Sequence, residues 1–474
     1  MPRIRKDNIS SMEPSIADEF ANVAIKDQRL VNRLARTARL FEQEPEKSIP
    51  DACRRWAETK AVYRLLDNDK IDCGVILAGH RRQTLERIKG HEVILCVQDT
   101  TSLDFSAHKK TEGLGPHSTS PGSLGLLVHT TLAVTTTGIP LGLLSESIWA
   151  RPAATRGKRH LRKELPLAEK ESSKWLEAME KSQVDLPAGV KAVTVGDREA
   201  DIYDFFLKAS SEGRHLLIRA TQDRRVDGER ARLSTQVEKA PLLGQCLVKV
   251  PRASEINQPP REARLALRVC PVTILPPLRR TSEKLPGVKL YVIQARELSA
   301  PEGVKPIEWL LLTTLKVENL QEAVEKIDWY RHRWKIERYH FVLKSGCKVE
   351  DLQLETGERL KNAIAIYAVV AWRLTWITYQ ARETPDAPCS VILPEAEWQT
   401  LFCLVNRTSK PPRRPPALKE AVVLIARLGG FLARKHDGDP GVKVLWRGMQ
   451  KLNEVMDALK TLQSLAPPQD VGND

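Results

Sequence analysis

The chain has 474 residues, of which 42% are hydrophobic, and it carries 74 Lys and Arg against 60 Asp and Glu, a formal net charge of +14. That is enough apolar material to bury a large core divided into about two to four domains, and the cationic excess favours a polyanionic partner through counterion release and steering. Its eight cysteines lie far apart and never form C-x2-C, which argues against a zinc ribbon or a disulfide framework and for free thiols in a reducing compartment.

Taken in chain order, residues 1–75 read as helical. VNRLARTARLFEQ (31–43) and DACRRWAETKAVYRLLDN (51–68) place apolar side chains at i, i+3 and i+4. Basic residues, among them Arg29, Arg33, Arg54, Arg55, Lys60 and Arg64, stud these segments, as expected of a small helical DNA-binding module. From about 92 to 148 the pattern turns to strands: VILCVQDT, GLLVHTTLAVTT, a Gly-Ile-Pro turn at 138–140, then LGLLSESIW. Consecutive strands of this kind predict an antiparallel meander. A helix over 167–182, the strand KAVTVGD, the helix ADIYDFFLKASSEG and the strand HLLIRA follow. Together they predict a mixed α/β sheet with helices on its faces.

Between about 222 and 315, ARLALRV, VKLYVIQARE and EWLLLTTL alternate with Pro-rich turns and predict an all-β insertion. Helix returns over 318–345 and again over 359–382. The longest apolar stretch, at 364–377, is 14 residues and contains Arg373, too short and too charged to span a bilayer. The N-terminal MPRIRKDNIS lacks the hydrophobic region of a signal peptide, so a cytoplasmic protein is expected. TSKPPRRPPALKE (408–420) reads as a linker, and 418–465 as an amphipathic helical pair whose apolar face either completes the core or meets a second copy.

Three carboxylates stand out. Asp99 and Asp197 each end a hydrophobic, β-branched run, which puts them at a sheet rim where ligands of α/β proteins gather. Glu337 lies in a helical pattern with Tyr330, Arg333 and Lys344, spaced Y-x2-R-x3-E-x6-K. On a uniform helix the four fall within roughly 60° of one another. One stripe then carries an acid flanked by a guanidinium, an ammonium and a phenol, all of which can bind phosphate oxygens. An ordinary solvated helix with an Arg333–Glu337 ion pair is the competing reading. Three hard oxygen donors from separate elements suit a pair of Mg²⁺ ions running an in-line phosphoryl displacement.

Six motifs in order complete the pattern: DTTSL at 99–103, EKES-KW at 169–175, GDREADIY at 196–203, EWLLLT at 308–313, the Tyr-Arg-Glu-Lys set at 330–344, and IARLGGF at 425–431. In these the chain resembles the DDE transposases of bacterial insertion sequences, specifically the IS-four family, over about residues 20–460. The resemblance implies an α/β fold with an RNase H-like catalytic core and a β-rich insertion between the second aspartate and the glutamate. It implies domains at 1–75 (DNA-end binding), 76–385 (catalytic, with the insertion at about 222–315) and 386–474 (dimerisation). Asp99, Asp197 and Glu337 correspond to the catalytic, metal-binding triad, served by two Mg²⁺ ions for which Mn²⁺ can substitute. Tyr330, Arg333 and Lys344 correspond to residues gripping phosphates of the transposon end, and Trp309 to the platform for an extrahelical base. Arg219 matches a basic residue beside the active site. Arg29 and Arg33, with Lys60 and Arg64, fall in the region that contacts the end sequence.

The implied activity is cut-and-paste DNA transposition by a homodimer on inverted-repeat ends, with hairpin formation and strand transfer, close to the bacterial nucleoid and away from membranes. A metal-dependent nuclease of the same fold without strand transfer, or a DNA-binding inhibitor lacking catalysis, are the alternatives. Two departures stand against the resemblance. The loop 151–164 is strongly basic here, and Thr221 stands where a relative has lysine.

Overall fold

The computed structural model describes residues 16–21, 23, 25–118, 120–153, 169–250, 260–434 and 437–465. Most of the basic loop (154–164) and the tail from 466 lie outside them. Among the described residues the helices are α1 Gln28–Gln43, α2 Ile49–Cys53, α3 Trp56–Leu66, α4 Cys73–Ile88, α5 Ser173–Gln183, α6 Tyr203–Ser211, α7 Leu233–Lys239, α8 Leu320–Arg331, α9 Trp334–Phe341, α10 Gly357–Glu383, α11 Glu395–Asn406, α12 Leu418–Leu428 and α13 Val442–Leu465. The strands are β1 Val93–Asp104, β2 Gly125–Thr135, β3 Pro140–Trp149, β4 Lys191–Gly196, β5 His215–Arg219, β6 Leu242–Val250, β7 Arg261–Ile274, β8 Val288–Glu297 and β9 Glu308–Thr313. The chain forms two compact units, residues 83–106 with 114–338, and residues 1–82 with 107–113 and 339–474.

The first unit is built on one sheet of order β3-β2-β1-β4-β5-β9-β8-β7-β6. β1, β2 and β3 form the antiparallel meander foreseen from their patterns, with Asp99 opposite Thr130 and Thr130 opposite Glu146. β1 then pairs with β4, and β4 with β5, in parallel. Alternation along β1 buries Ile94 and Cys96 in a cluster with Ile88 of α4 and Leu141 and Leu144 of β3. Trp175 and Met179 of α5, Phe205 and Phe206 of α6, and Ile218 of β5 share a second cluster with Leu290, Val292 and Leu312. That second cluster holds β5 against the strands that follow.

The segment 222–315 corrects the expectation of an all-β piece in two respects. It contains α7, anchored by buried Leu233 and Val237 at i, i+4 spacing, a helix too short to show in a strand-rich stretch. It also includes β6, an edge strand whose side chains are exposed or half-buried except Val248, which hid it from a search for apolar alternation. β9 joins β5 directly through Ile218 opposite Leu312, so these strands continue the same sheet.

The second unit is helical. α1 starts on the Asp27 cap, whose side chain accepts from the Arg29 amide. It buries Val31, Leu34, Ala38 and Phe41, and the Phe41 ring stacks on Tyr367 of α10 at 4.3 Å. The apolar run 364–377 lies inside α10, almost wholly buried, and Arg373 within it pairs with Glu42 of α1 at 2.7 Å. No described helix is long and apolar enough to cross a membrane. The linker reading of 408–420 holds only in part, since Pro416 accepts from the Cys389 amide and the Leu418 amide donates to Ala387.

Glycine in IARLGGF has a packing reason. A Cβ on Gly429 would collide with the Val444 carbonyl, and one on Gly448 with the Ile425 carbonyl, so α12 and α13 cross backbone against backbone. Gly448→Ala is therefore expected to lower the thermal midpoint by several degrees, a loss of about 1–3 kcal/mol from overpacking, measured by calorimetry.

Candidate functional site

Asp99 lies mid-strand on β1 where burial begins to give way, and its carboxylate accepts from the Thr100 amide at 2.8 Å. Asp197 follows the last residue of the neighbouring parallel strand β4 and accepts from the Glu199 amide at 2.8 Å. Glu337 sits in the first turn of α9, 2.6 Å from the Arg333 guanidinium. The three acids share one electrostatic neighbourhood. Burial pushes the Asp99 carboxyl up to about 7, and the charges of Asp197 and Glu337 push the same way, against the Thr100 amide and Arg333. Among the described residues no group of three Asp, Glu, His or Cys closes into metal-holding geometry. The donor set nonetheless suits hard divalent cations, because carboxylate oxygens from separate elements are the ligands such ions take.

Beside the acids lies a basic and aromatic cluster. The Tyr330 ring packs edge-on against Trp309 of β9 at 5.4 Å, and Arg333 lies 6.0 Å from the Tyr330 ring and 5.0 Å from that of Trp334. Arg219, at the end of β5, donates to the Glu308 carbonyl at 3.0 Å. Burial lowers its pKa, while Tyr330 draws it upward and Arg198 and Arg333 press it down. The Tyr330 hydroxyl is buried and finds no well-formed hydrogen bond among the described residues, between cations that would share a phosphate oxygen with it. Asp99, Asp197, Glu337, Arg219, Trp309, Tyr330 and Arg333 thus belong to one unit and one neighbourhood.

The uniform stripe expected from Y-x2-R-x3-E-x6-K needs correction. The helix breaks at His332–Arg333, between α8 and α9, and residues 342–346 form a π turn. A constant 100° per residue therefore does not carry the phase to Lys344. Lys344 belongs to the other unit, where its ammonium lies 3.3 Å from Glu350. Arg29, Arg33, Lys60 and Arg64 are also in that unit, all exposed on α1 and α3. Arg29 pairs with Asp27 at 3.2 Å.

Several residues of the neighbourhood were not singled out from the sequence. Glu146 of β3 lies in register with Thr130 and Asp99 and accepts from the Thr130 hydroxyl at 3.0 Å. Its signal, an acid inside an apolar strand, was there to be found. Thr100 meets His129 at 2.8 Å, and nothing but cross-strand pairing could have joined them. Arg151 and Glu171 form a two-pronged ion pair at 2.7 Å that ties the end of β3 to the EKES motif.

His332 is the residue that ends α8 at the break. Its ring packs where a Cβ on Gly138 would stand, and Gly138 takes φ +102°, open to glycine. Its Nε2 lies 3.1 Å from the Thr136 carbonyl. Burial pulls its pKa down to about 4, helped by Lys335 and opposed by the Thr136 carbonyl. A histidine neutral when folded and protonated when unfolded contributes stability that is present above about pH 6.5 and lost as pH falls towards 4. Unfolding free energies from urea titrations at about pH 7 and about pH 5 should differ by on the order of 1–2 kcal/mol more in the native protein than in His332→Asn.

Asp99 within β1 and Asp197 just past the neighbouring β4, with Glu337 and a basic and aromatic cluster alongside, form a set suited to metal-dependent work on DNA. Residues 170–373 match the Transposase DDE domain, and the mixed sheet with flanking helices fits an RNase H-like core; the enzyme is a metal-dependent DNA transposase. Residues 12–71 match the Transposase DNA-binding family and residues 369–466 the Transposase Tn5 dimerisation domain. Together the three matches support a Tn5-like DDE transposase. The DDE match spans Asp197 and Glu337 and begins after Asp99. Among solved structures, the piggyBac transposase synaptic complex with hairpin DNA is similar at TM-score 0.39 and 9% identity, over 95% of this chain and 78% of that one, a likeness too slight to carry fold or mechanism.

Proposed function

We propose that this transposase works by cut and paste. It binds inverted-repeat ends through domain 1–75, cleaves and joins DNA in domain 76–385, in which about 222–315 is a strand-rich insertion, and dimerises through 386–474 in a synaptic complex on the nucleoid. The observation that carries the reading is the parallel pairing of β1 with β4, which leaves Asp99 and Asp197 each two residues beyond its last pair, Val97 with Val195, with the Arg333–Glu337 pair in the same unit. Asp99, Asp197 and Glu337 would hold two Mg²⁺ ions, with Mn²⁺ as substitute. When bound, such ions supply activation of the attacking oxygen and stabilisation of the leaving 3′ oxygen.

The protein's own groups do the positioning. Arg219, Arg333 and Lys344 take phosphate oxygens, and Tyr330 donates its hydroxyl proton to another. Glu337 must turn away from Arg333 to face a cation, which leaves that guanidinium for the DNA. A hairpin at the element's end requires a base to leave the stack, costing a few kcal/mol, and Trp309 offsets about 1–3 kcal/mol of this by stacking. Trp309→Ala should therefore leave the first nick within about threefold of wild type and slow hairpin formation roughly tenfold or more, read on denaturing gels. Equal slowing of both steps would remove Trp309 from this role.

A pre-cleaved end incubated with a plasmid target tests the joining activity. Transfer of the end into plasmid supports a transposase over a nuclease of the same fold. Cleavage without any joined product would favour the nuclease.

A further inference from the structure

One exposed side chain of the helical unit is unexplained by core packing. Trp56 is 77% exposed, although tryptophan is ordinarily among the residues most covered on folding. It opens α3 directly after the Arg54–Arg55 turn, in which Arg54 takes the left-handed conformation at φ 56°. α3 buries Thr59, Val62, Leu65 and Leu66. Trp56, Lys60 and Arg64, at i, i+4 and i+8, share the opposite face and are all exposed. Next to it, α1 exposes Arg29, Arg33 and Arg36, and Arg36 pairs with Glu58 of α3 at 2.5 Å.

A cationic helix face with an aromatic at its first turn is complementary to the major groove of duplex DNA. Lysine and arginine neutralise phosphates on either wall, without regard to sequence. An indole carries no charge to offer a phosphate, but it can pack on base edges, the thymine methyl above all. We propose that Trp56 is a sequence-reading residue: it contacts base edges in the DNA end while Lys60 and Arg64 hold the backbone. The inference rests on the reading that residues 1–75 bind DNA ends, and it assigns one part of that recognition to one side chain.

Selection from random DNA tests this without the end sequence being known. The full-length chain selects duplexes from a library with a randomised central segment, in parallel with Trp56→Ala, Trp56→Phe and Lys60→Ala. Wild type should enrich a motif. Trp56→Ala should lose preference at one or two adjacent positions, roughly tenfold in relative affinity, with the salt dependence of binding and the thermal midpoint unchanged. Trp56→Phe should retain the preference, and Lys60→Ala should keep the motif while flattening the salt slope by about one unit. A Trp56→Ala motif identical to wild type overturns the inference and leaves the end-binding reading standing, as does uniform weakening accompanied by a lower thermal midpoint. A wild-type selection that enriches nothing overturns both.

Discussion

Alanine at Asp99, Asp197 or Glu337 is expected to reduce DNA-end cleavage by at least on the order of 10³-fold, because on the proposed reading each removes a charged ligand of the catalytic ions. The three losses should be non-additive, since the residues act as one unit. Binding should survive. Each substitution removes a negative charge from a surface that meets phosphates, so affinity for DNA is expected to hold or rise, most visibly at low salt. The isosteric Asp197→Asn keeps the shape and the hydrogen bond from the Glu199 amide, and should fail as badly as alanine. Gel shifts and cleavage assays on the same preparations separate the two effects. Normal cleavage by any one variant would strip that residue of its role.

Arg373→Ala is expected to cost the most stability, about 3–5 kcal/mol, because it strands the Glu42 carboxylate. The pair lies between α1 and the largely buried α10 at 2.7 Å. Burial already raises the Glu42 pKa against the pull of Arg373 and Arg39, so without Arg373 the acid must take up a proton or draw in water. The sign follows: a carboxyl raised on folding gains stability as pH falls and it protonates, and the variant, which lacks the opposing pull of Arg373, should gain more than wild type. The double variant Arg373→Met with Glu42→Leu should recover most of the loss. Chemical denaturation across pH measures both.

Much of the first unit was legible from periodicity. The antiparallel meander β1–β3, the strand that carries Asp99, the strand that stops just before Asp197, and helices α5 and α6 all follow from patterns of two and of about 3.6. What periodicity missed was decided by tertiary context. β6 sits at an edge and needs no apolar alternation. α7 is stabilised by docking two side chains rather than by length. At the break before Arg333, His332 lodges against Gly138 and the Thr136 carbonyl, residues almost two hundred positions away in sequence.

The candidate site divides in the same way. Its charged members announced themselves by residue type and spacing. Their grouping did not, because the parallel pairing of β1 with β4 joins segments distant in sequence that no local spacing relates. Glu146 and His129 show the cost of reading strands singly: both come into the neighbourhood of Asp99 only through cross-strand register. Arg373 illustrates the reverse. A lone charge in an apolar run argued against a membrane helix, and its partner Glu42 supplies the reason that a buried helix accepts it.

Iron-directed backbone cutting tests the shared metal site most directly. Fe²⁺ replaces Mg²⁺ on the full-length protein, ascorbate and peroxide generate hydroxyl radicals at the bound ion, and the fragments are sized. Cuts should cluster at three places, around Asp99, Asp197 and Glu337, fade together when Mg²⁺ competes, and vanish at all three in Asp197→Ala. Cutting confined to one of these segments, or unaltered by that substitution, would contradict a metal centre formed by the three acids.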